Sequence, residues 1–261
     1  MTAVTVDQRE LEAKVKTMYQ AVAENPGGHY HFEMGRTLAE RLGYPPQVLD
    51  RIPSGAVESF AGVGYFFDLA DLQDGERVLD LGSGSGMDAF VAALAVGGRG
   101  RVAGVDMTPA QLDKAERLRR EGGFLTVEFT PGRIDELPYD DGTFDVVISN
   151  GVVNLTPEKP KVFAEVARVL KLGGRLAVAD IVTERPLTAK IVCNTELWAS
   201  CIGGAAQEEV YRSAITAAGL RVGEVRANDY HFISTRARNA SETYGVKSVS
   251  VLARLPGTPE G

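Results

Sequence analysis

The run Val78-Leu79-Asp80-Leu81-Gly82-Ser83-Gly84-Ser85-Gly86 constrains this chain more than any other stretch. Its first residues are apolar enough for a buried strand, and Met87–Val96 has the length and composition of a buried helix. Glycines between the two let the backbone turn sharply and approach a ligand closely. The helix that follows presents free N–H groups and a partial positive charge at its start. A buried strand, a glycine turn and a helix in that order form the opening unit of a parallel sheet.

The rest of the chain repeats the unit. Strands are expected at Arg77–Leu81, Val102–Asp106, Thr126–Thr130, Phe144–Ser149 and Arg175–Ile181. Helices between them run over Met87–Val96, Pro109–Arg120 with Thr108 as N-cap, and Glu158–Leu170, stopped by Gly173-Gly174. Helices near Ile191–Cys201 and Glu208–Ala218 precede two last strands, Leu220–Ala227 and Lys247–Leu255. The pattern predicts an α/β, Rossmann-like fold: a mainly parallel seven-stranded sheet with helices on both faces. Ahead of it, Leu11, Val15, Met18 and Val22 recur at helical spacing over residues 8–24. A second helix is expected at Met34–Leu42, and short helical or turn segments fill residues 44–70. Residues 1–70 therefore read as an N-terminal helical cap, 71–185 as the core, and 186–261 as segments completing the sheet and a substrate pocket.

A net charge of −7 argues against a nucleic-acid or anionic-membrane surface, which needs a basic face. No stretch approaches the roughly 20 apolar residues that span a bilayer, and Met1–Glu12 lacks the apolar core of a signal peptide. Two cysteines, Cys193 and Cys201, make no disulfide framework, so a cytoplasmic setting is expected. With three histidines and two thiols, no structural metal site is expected. The apolar face of the N-terminal helices offers a surface for pairing between copies of the chain.

The glycine loop narrows the ligand. A dinucleotide fingerprint would place glycine at position 87, where Met87 stands. Asp80 enters the loop as a carboxylate, which suits an ammonium group better than a pyrophosphate. Asp106, 20 residues beyond Gly86, falls where nucleotide folds carry a ribose-binding acid. S-Adenosylmethionine (SAM), with an α-amino group and no phosphate, meets these conditions.

Taken as an ordered set, the motifs resemble those of class I SAM-dependent methyltransferases. Val78–Gly86 is similar to their first motif and Gly104-Val105-Asp106-Met107-Thr108 to their second. Gly132–Pro138 is similar to their adenine-side loop. Phe144-Asp145-Val146-Val147 and Leu170–Leu176 are similar to the fourth strand and the turn into the fifth. The resemblance implies that Asp80, Gly82, Ser83, Gly84 and Gly86 hold the methionine moiety. It also implies that Asp106 binds the ribose, Met107 flanks adenine, Ile134 contacts its edge through the backbone, and Asn150 sits near the sulfonium. Many relatives carry an acid where this chain has Arg133.

Within the class, Ser59–Gly64, Ser149–Lys159 and Cys201–Ala205 resemble the arsenite methyltransferases. That group carries cysteines where this chain has Val63, Gly151 and Cys201, so two of three are replaced. Arsenic(III) is thiophilic and uses several thiolates. The resemblance thus implies a small-molecule methyltransferase with an organic acceptor. Arsenite methylation and a non-catalytic SAM-binding subunit are the alternatives. Candidate catalytic residues are His29 and His31, in His29-Tyr30-His31-Phe32, together with Asn150 and Cys201. Tyr30 and Phe32 read either as substrate-covering aromatics or as loop anchors, and Trp198 either as pocket wall or as core.

Overall fold

The computed structural model describes residues 7–194, Trp198 and residues 202–257. Strands β1 (Arg77–Leu81), β2 (Arg101–Asp106), β3 (Val127–Pro131), β4 (Phe144–Asn150), β5 (Leu170–Thr183), β6 (Ala206–Gln207), β7 (Arg221–Ala227) and β8 (Lys247–Arg254) form one sheet. Its order is β3-β2-β1-β4-β5-β8-β7, with β6 pairing β5 off that path. The sheet therefore has eight strands where seven were expected. The extra one is a two-residue segment that pairs Ala206 and Gln207 with Val182 and Thr183, too short to leave a periodic signal. Only β8 runs antiparallel to its neighbours. The order reverses at β1, between β2 and β4, and in such sheets the crevice at the strand carboxyl ends is where ligands bind.

The interiors of β1, β2, β4 and β5 are near-continuously buried because helices cover both faces. Helix α1 spans Gln8–Glu24, α2 Gly35–Leu42, α3 Pro46–Leu49, α4 Ser54–Glu58 and α5 Phe67–Ala70. Then come α6 (Met87–Val96), α7 (Pro109–Glu121), α8 (Lys159–Val169), α9 (Ala189–Val192), α10 (Glu208–Ala217) and α11 (Thr235–Tyr244). One sheet face packs on Val162, Phe163 and Val166 of α8 and Tyr211 and Ile215 of α10. The other packs on α6 and continues without a break into Leu38, Tyr44, Leu49 and Phe60 of the N-terminal segment.

Several elements differ from expectation. The residue before α7, Thr108, makes no capping bond with its hydroxyl, which turns to Asp106 instead. Strand β5 begins at Leu170 and runs through Gly173-Gly174, because backbone bonds such as Leu255 N–H to Gly174 O continue the ladder there. Helix α11 has no counterpart in the sequence reading. Ser234 caps it by accepting from Ala237 N–H at 3.2 Å, and left-handed Gly245 ends it. The helix expected at Ile191–Cys201 is described only for its start and for Trp198; Cys201 lies outside the described residues.

The apolar stripe of α1, offered above for pairing between copies, is buried within the chain. Leu11 and Val15 pack with Trp198, and Val22 and Ala23 are buried too. Lys114 on α7 donates to Ala23 O at 3.0 Å and Gln111 to Tyr19 O at 2.8 Å, which fixes α1 across the carboxyl ends of β1 and β2. No helix among the described residues is long and apolar enough to cross a membrane.

Candidate active site

Under α1 lies a cavity that opens to solvent. The β1–α6 loop, the β2 end, the Gly132–Asp135 turn, the β4 end and the Ser59–Gly62 segment wall it. Five lining residues are acids (Glu12, Asp80, Asp88, Asp106 and Asp135) and one, Arg133, is a permanent cation. A cavity of this charge favours a cationic guest and disfavours a pyrophosphate.

The glycine loop is held open by its own geometry. Gly82 has φ +66°, and a Cβ there would stand 2.5 Å from Val152 Cγ1, so any side chain would collide with the β4 end. A Cβ at Gly84 would meet nothing nearer than 3.7 Å, so that backbone faces open space. Ser85 Oγ donates to Gln111 Oε1 at 2.6 Å, and Gln111 in turn holds the Tyr19 carbonyl. The loop is thereby coupled through α7 to α1.

Asp80 ends β1, is buried, and has one carboxylate oxygen without a partner in the protein. Burial pushes it well above the usual carboxylate range, and like charge from Asp88 and Asp106 adds to the effect. Asp88, in the first turn of α6, is raised by burial to about 6, against the opposing bonds from Tyr44 and Asn150. Asp106 accepts Gly84 N–H at 3.0 Å and Thr108 N–H at 2.8 Å, and burial raises it as well. An orphaned buried carboxylate costs free energy unless a cation joins it. The set fits the SAM expected from the resemblance: Asp80 would take the ammonium, Gly84 would face it without obstruction, and Asp106 would retain lone pairs for ribose hydroxyls. Bound there, SAM supplies a methyl group made electrophilic by its sulfonium.

Of the sequence-identified cofactor residues, Asp80, Gly82, Ser83, Gly84, Asp106, Met107, Ile134 and Asn150 line the cavity. Gly86 does not; it starts α6 with Phe90 and Phe129 against it. Asn150 has its carboxamide engaged within the protein. Its Oδ1 accepts Val63 N–H at 2.7 Å and Gly64 N–H at 3.3 Å. Its Nδ2 donates to Gly64 O and Asp88 Oδ2, both at 3.0 Å, and to Tyr44 Oη at 3.1 Å. It clamps the Gly62–Gly64 segment to the sheet, with no donor or acceptor left over for a reacting group.

His29 and His31 are exposed, and neither lines the cavity. Between them, Tyr30 stacks on Phe32 at 5.7 Å, and Phe32 on Tyr19 at 6.2 Å. The two aromatics of the motif thus brace α1 through Tyr19, and only Tyr19 of that stack reaches the cavity. Sequence reasoning missed Tyr44, Asp88, Gln111 and the α1 residues Gln8, Leu11, Glu12, Val15 and Tyr19. Asp88 carried a faint signal, an acid in the first helical turn after a glycine loop, but that placement is ordinary helix-dipole chemistry. Arg133, the departure noted above, forks onto Asp135 at 3.0 and 3.1 Å and also pairs with Glu12 of α1.

A methyltransferase-domain family model matches residues 72–219. An arsenite methyltransferase of Halobacterium salinarum is 38% identical over 232 residues, which is 88% of this chain and 59% of that protein. One from Mus musculus is 42% identical over 138 residues, 49% of this chain and 37% of its own length. The chain thus spans well under two thirds of these curated relatives. Among solved structures, an arsenic(III) S-adenosylmethionine methyltransferase from Chlamydomonas reinhardtii superposes with a TM-score of 0.64 at 32% identity, covering 87% of this chain and 76% of that one. A geranyl diphosphate methyltransferase in complex with GPP and sinefungin shares the fold, with a TM-score of 0.67 at 17% identity over 94% of this chain and 99% of that one.

Proposed function

This chain belongs to the methyltransferase-domain family, and we propose that it is a class I SAM-dependent methyltransferase whose acceptor is a small apolar organic molecule. One observation carries the reading. A Cβ at Gly151 would stand 3.2 Å from Val63 Cγ1. The two positions where related arsenite enzymes carry cysteines therefore abut one another, and the valine occupies the space a side chain at 151 would need. Gly151 also has φ +72°, which favours glycine. Both positions are buried behind the lining residues Gly62, Asn150 and Val152, and with neither carrying sulfur a soft metalloid loses its multi-thiolate grip.

The cavity has apolar walls from α1 (Leu11, Val15 and Tyr19), from Phe60 and from Val152 and Leu155. Its acids have other tasks: Glu12 and Asp135 pair with Arg133, Asp88 with Tyr44 and Asn150, while Asp80 and Asp106 suit the cofactor. No histidine or lysine lines the cavity among the described residues. Methyl transfer then rests on aligning acceptor and sulfonium, which supports a nucleophile that needs no strong base. Cys201, outside the described residues, has no part in this reading.

The similarity to arsenite methyltransferases favours a second reading, arsenite methylation, and one experiment separates the two. The protein is incubated with methyl-labelled SAM and either arsenite plus a thiol or a panel of phenols, quinones and isoprenoids. Label in the organic products with none in methylarsenic is expected. Methylarsenic formation that Cys201→Ser abolishes would establish the second reading instead.

A further inference from the structure

Lys159 is the first residue of α8, where a cation opposes the helix dipole, and it is buried. Both placements are unfavourable, so something local must offset them. Its Nζ donates to Asn154 O at 3.3 Å and to Thr156 O at 2.8 Å, and lies 5.2 Å from the centroid of the Trp198 ring. Opposite it, buried Asp180 on β5 accepts from Ile181 N–H at 2.8 Å, from Tyr211 Oη at 3.0 Å and from the Asn154 backbone N–H. The peptide groups of Asn154 are therefore gripped by opposite charges, the N–H by an aspartate and the carbonyl by a lysine.

The segment so gripped is a wall of the cavity. Val152, Leu155, Thr156 and Pro157 line it, and Val152 abuts Gly82 of the cofactor loop. Leu155 packs on Trp198, which also touches Leu11 and Val15 of α1. We propose that Lys159 and Asp180 are a positioning pair that holds the Val152–Pro157 wall against the cofactor, so that cofactor affinity follows the charge of Lys159. The inference rests on the cavity holding the cofactor and is independent of the acceptor class.

The groups acting on the ammonium are Asp180 from β5 and the Trp198 ring, with Tyr211 of α10 bonded to Asp180 behind it. On its own helix, Glu158 pairs with Lys161 instead, at 3.0 Å. Burial lowers Lys159 to about 8, with Asp180 opposing that shift. Trp198 is the only tryptophan in the chain, so its fluorescence reports on this site without an acceptor.

The test follows Trp198 emission and calorimetric affinity for S-adenosylhomocysteine between pH 6.5 and 9.5, in the full-length protein and in Lys159→Met, Lys159→Arg and Asp180→Asn variants. The wild type should show an emission change centred near pH 8 and lose affinity on the order of tenfold through the same range, the scale of one charge-assisted hydrogen bond. Lys159→Met should bind about tenfold more weakly at pH 7, with no emission change. Lys159→Arg should keep its affinity at pH 9.5, since its charge does not titrate. Asp180→Asn should move the emission midpoint below that of the wild type, and it decides the matter should Lys159→Met fail to fold. An emission change that persists in Lys159→Met, or that variant binding as tightly as the wild type at pH 7, overturns the proposal. So does an unmoved midpoint in Asp180→Asn.

Discussion

Replacing Tyr44 by phenylalanine removes one hydroxyl from a buried hydrogen-bond network. The Tyr44 ring packs edge-on against Phe60 at 5.2 Å, Tyr65 at 5.0 Å and Phe67 at 6.0 Å, and phenylalanine keeps all three contacts. What is lost is the hydroxyl that donates to Asp88 Oδ1 at 2.5 Å and accepts the longer 3.1 Å bond from Asn150 Nδ2, a donor that keeps Gly64 O and Asp88 Oδ2 as partners. A hydrogen bond to a charged buried group contributes about 1.5–3 kcal/mol, and its loss leaves the carboxylate short of a donor. The cost must depend on pH. Burial raises Asp88 to about 6 in the folded chain, above its ordinary 3.8, so its ionisation is resisted by the fold and the protonated form is favoured below 6. The Tyr44 bond works against that shift, so removing it raises Asp88 further. Urea unfolding of Tyr44→Phe should therefore show a loss of about 2 kcal/mol at pH 8, falling below about 1 kcal/mol at pH 5, where Asp88 is neutral in both proteins. A loss equal at the two pH values, or one below about 0.5 kcal/mol at pH 8, would refute the role given to the Tyr44–Asp88 bond.

Three further outcomes follow from the same geometry. S-Adenosylhomocysteine affinity should fall as the solution is acidified, because burial raises Asp80 well above the ordinary carboxylate range and the proton it takes up competes with the ligand ammonium. Calorimetry should show about a tenfold loss per pH unit for each ionisation required, and a flat profile would remove Asp80 as the ammonium partner. Gly82→Ala should abolish measurable binding while the sheet stays folded, since its Cβ strikes Val152 at 2.5 Å and its φ is +66°; normal affinity would mean that the loop relaxes freely. Val63→Cys and Gly151→Cys should be non-additive in a double-mutant cycle by about 1 kcal/mol, the double variant being less destabilised than the sum because the smaller side chain at 63 makes room at 151. Additivity would show that the two positions do not compete for space.

The sheet was legible because its strands are fully buried and its helices strongly patterned. Val78–Leu81, Val102–Val105 and Val146–Ile148 are apolar runs bounded by turn residues, and the structure places them centrally. Elements held mainly by backbone or polar contacts left weaker traces. Helix α11, Thr235–Tyr244, has few apolar residues, so its 3.6-residue period is faint, although Ser234 and Gly245 mark its ends. Strand β6 exists only because its two residues lie beside Val182 and Thr183. The continuation of β5 through Gly173-Gly174 depends on the opposite strand, which the local sequence does not report.

The same distinction governs the site. The cofactor end is built from short contiguous pieces, Asp80–Ser85 and Asp106–Thr108, where spacing alone encodes geometry. The rest of the cavity is assembled from α1, from Phe60–Gly62 and from Val152–Pro157, which meet only through tertiary contacts. Asn150 joins two of these pieces across 87 residues, through its bond to Val63 N–H. Its position at the carboxyl end of β4 puts that asparagine beside the expected place of the reacting sulfur. Its hydrogen bonds show that being near the chemistry and being available for it are different properties. His29 and His31 make the complementary point. Their residue type suits acid–base work, yet the rings of Tyr30 and Phe32 stack toward Tyr19 of α1 and both imidazoles stay exposed. Composition can nominate groups capable of chemistry, but here the connections made by Asn150, Gln111 and Lys159 decide which surfaces face the cavity.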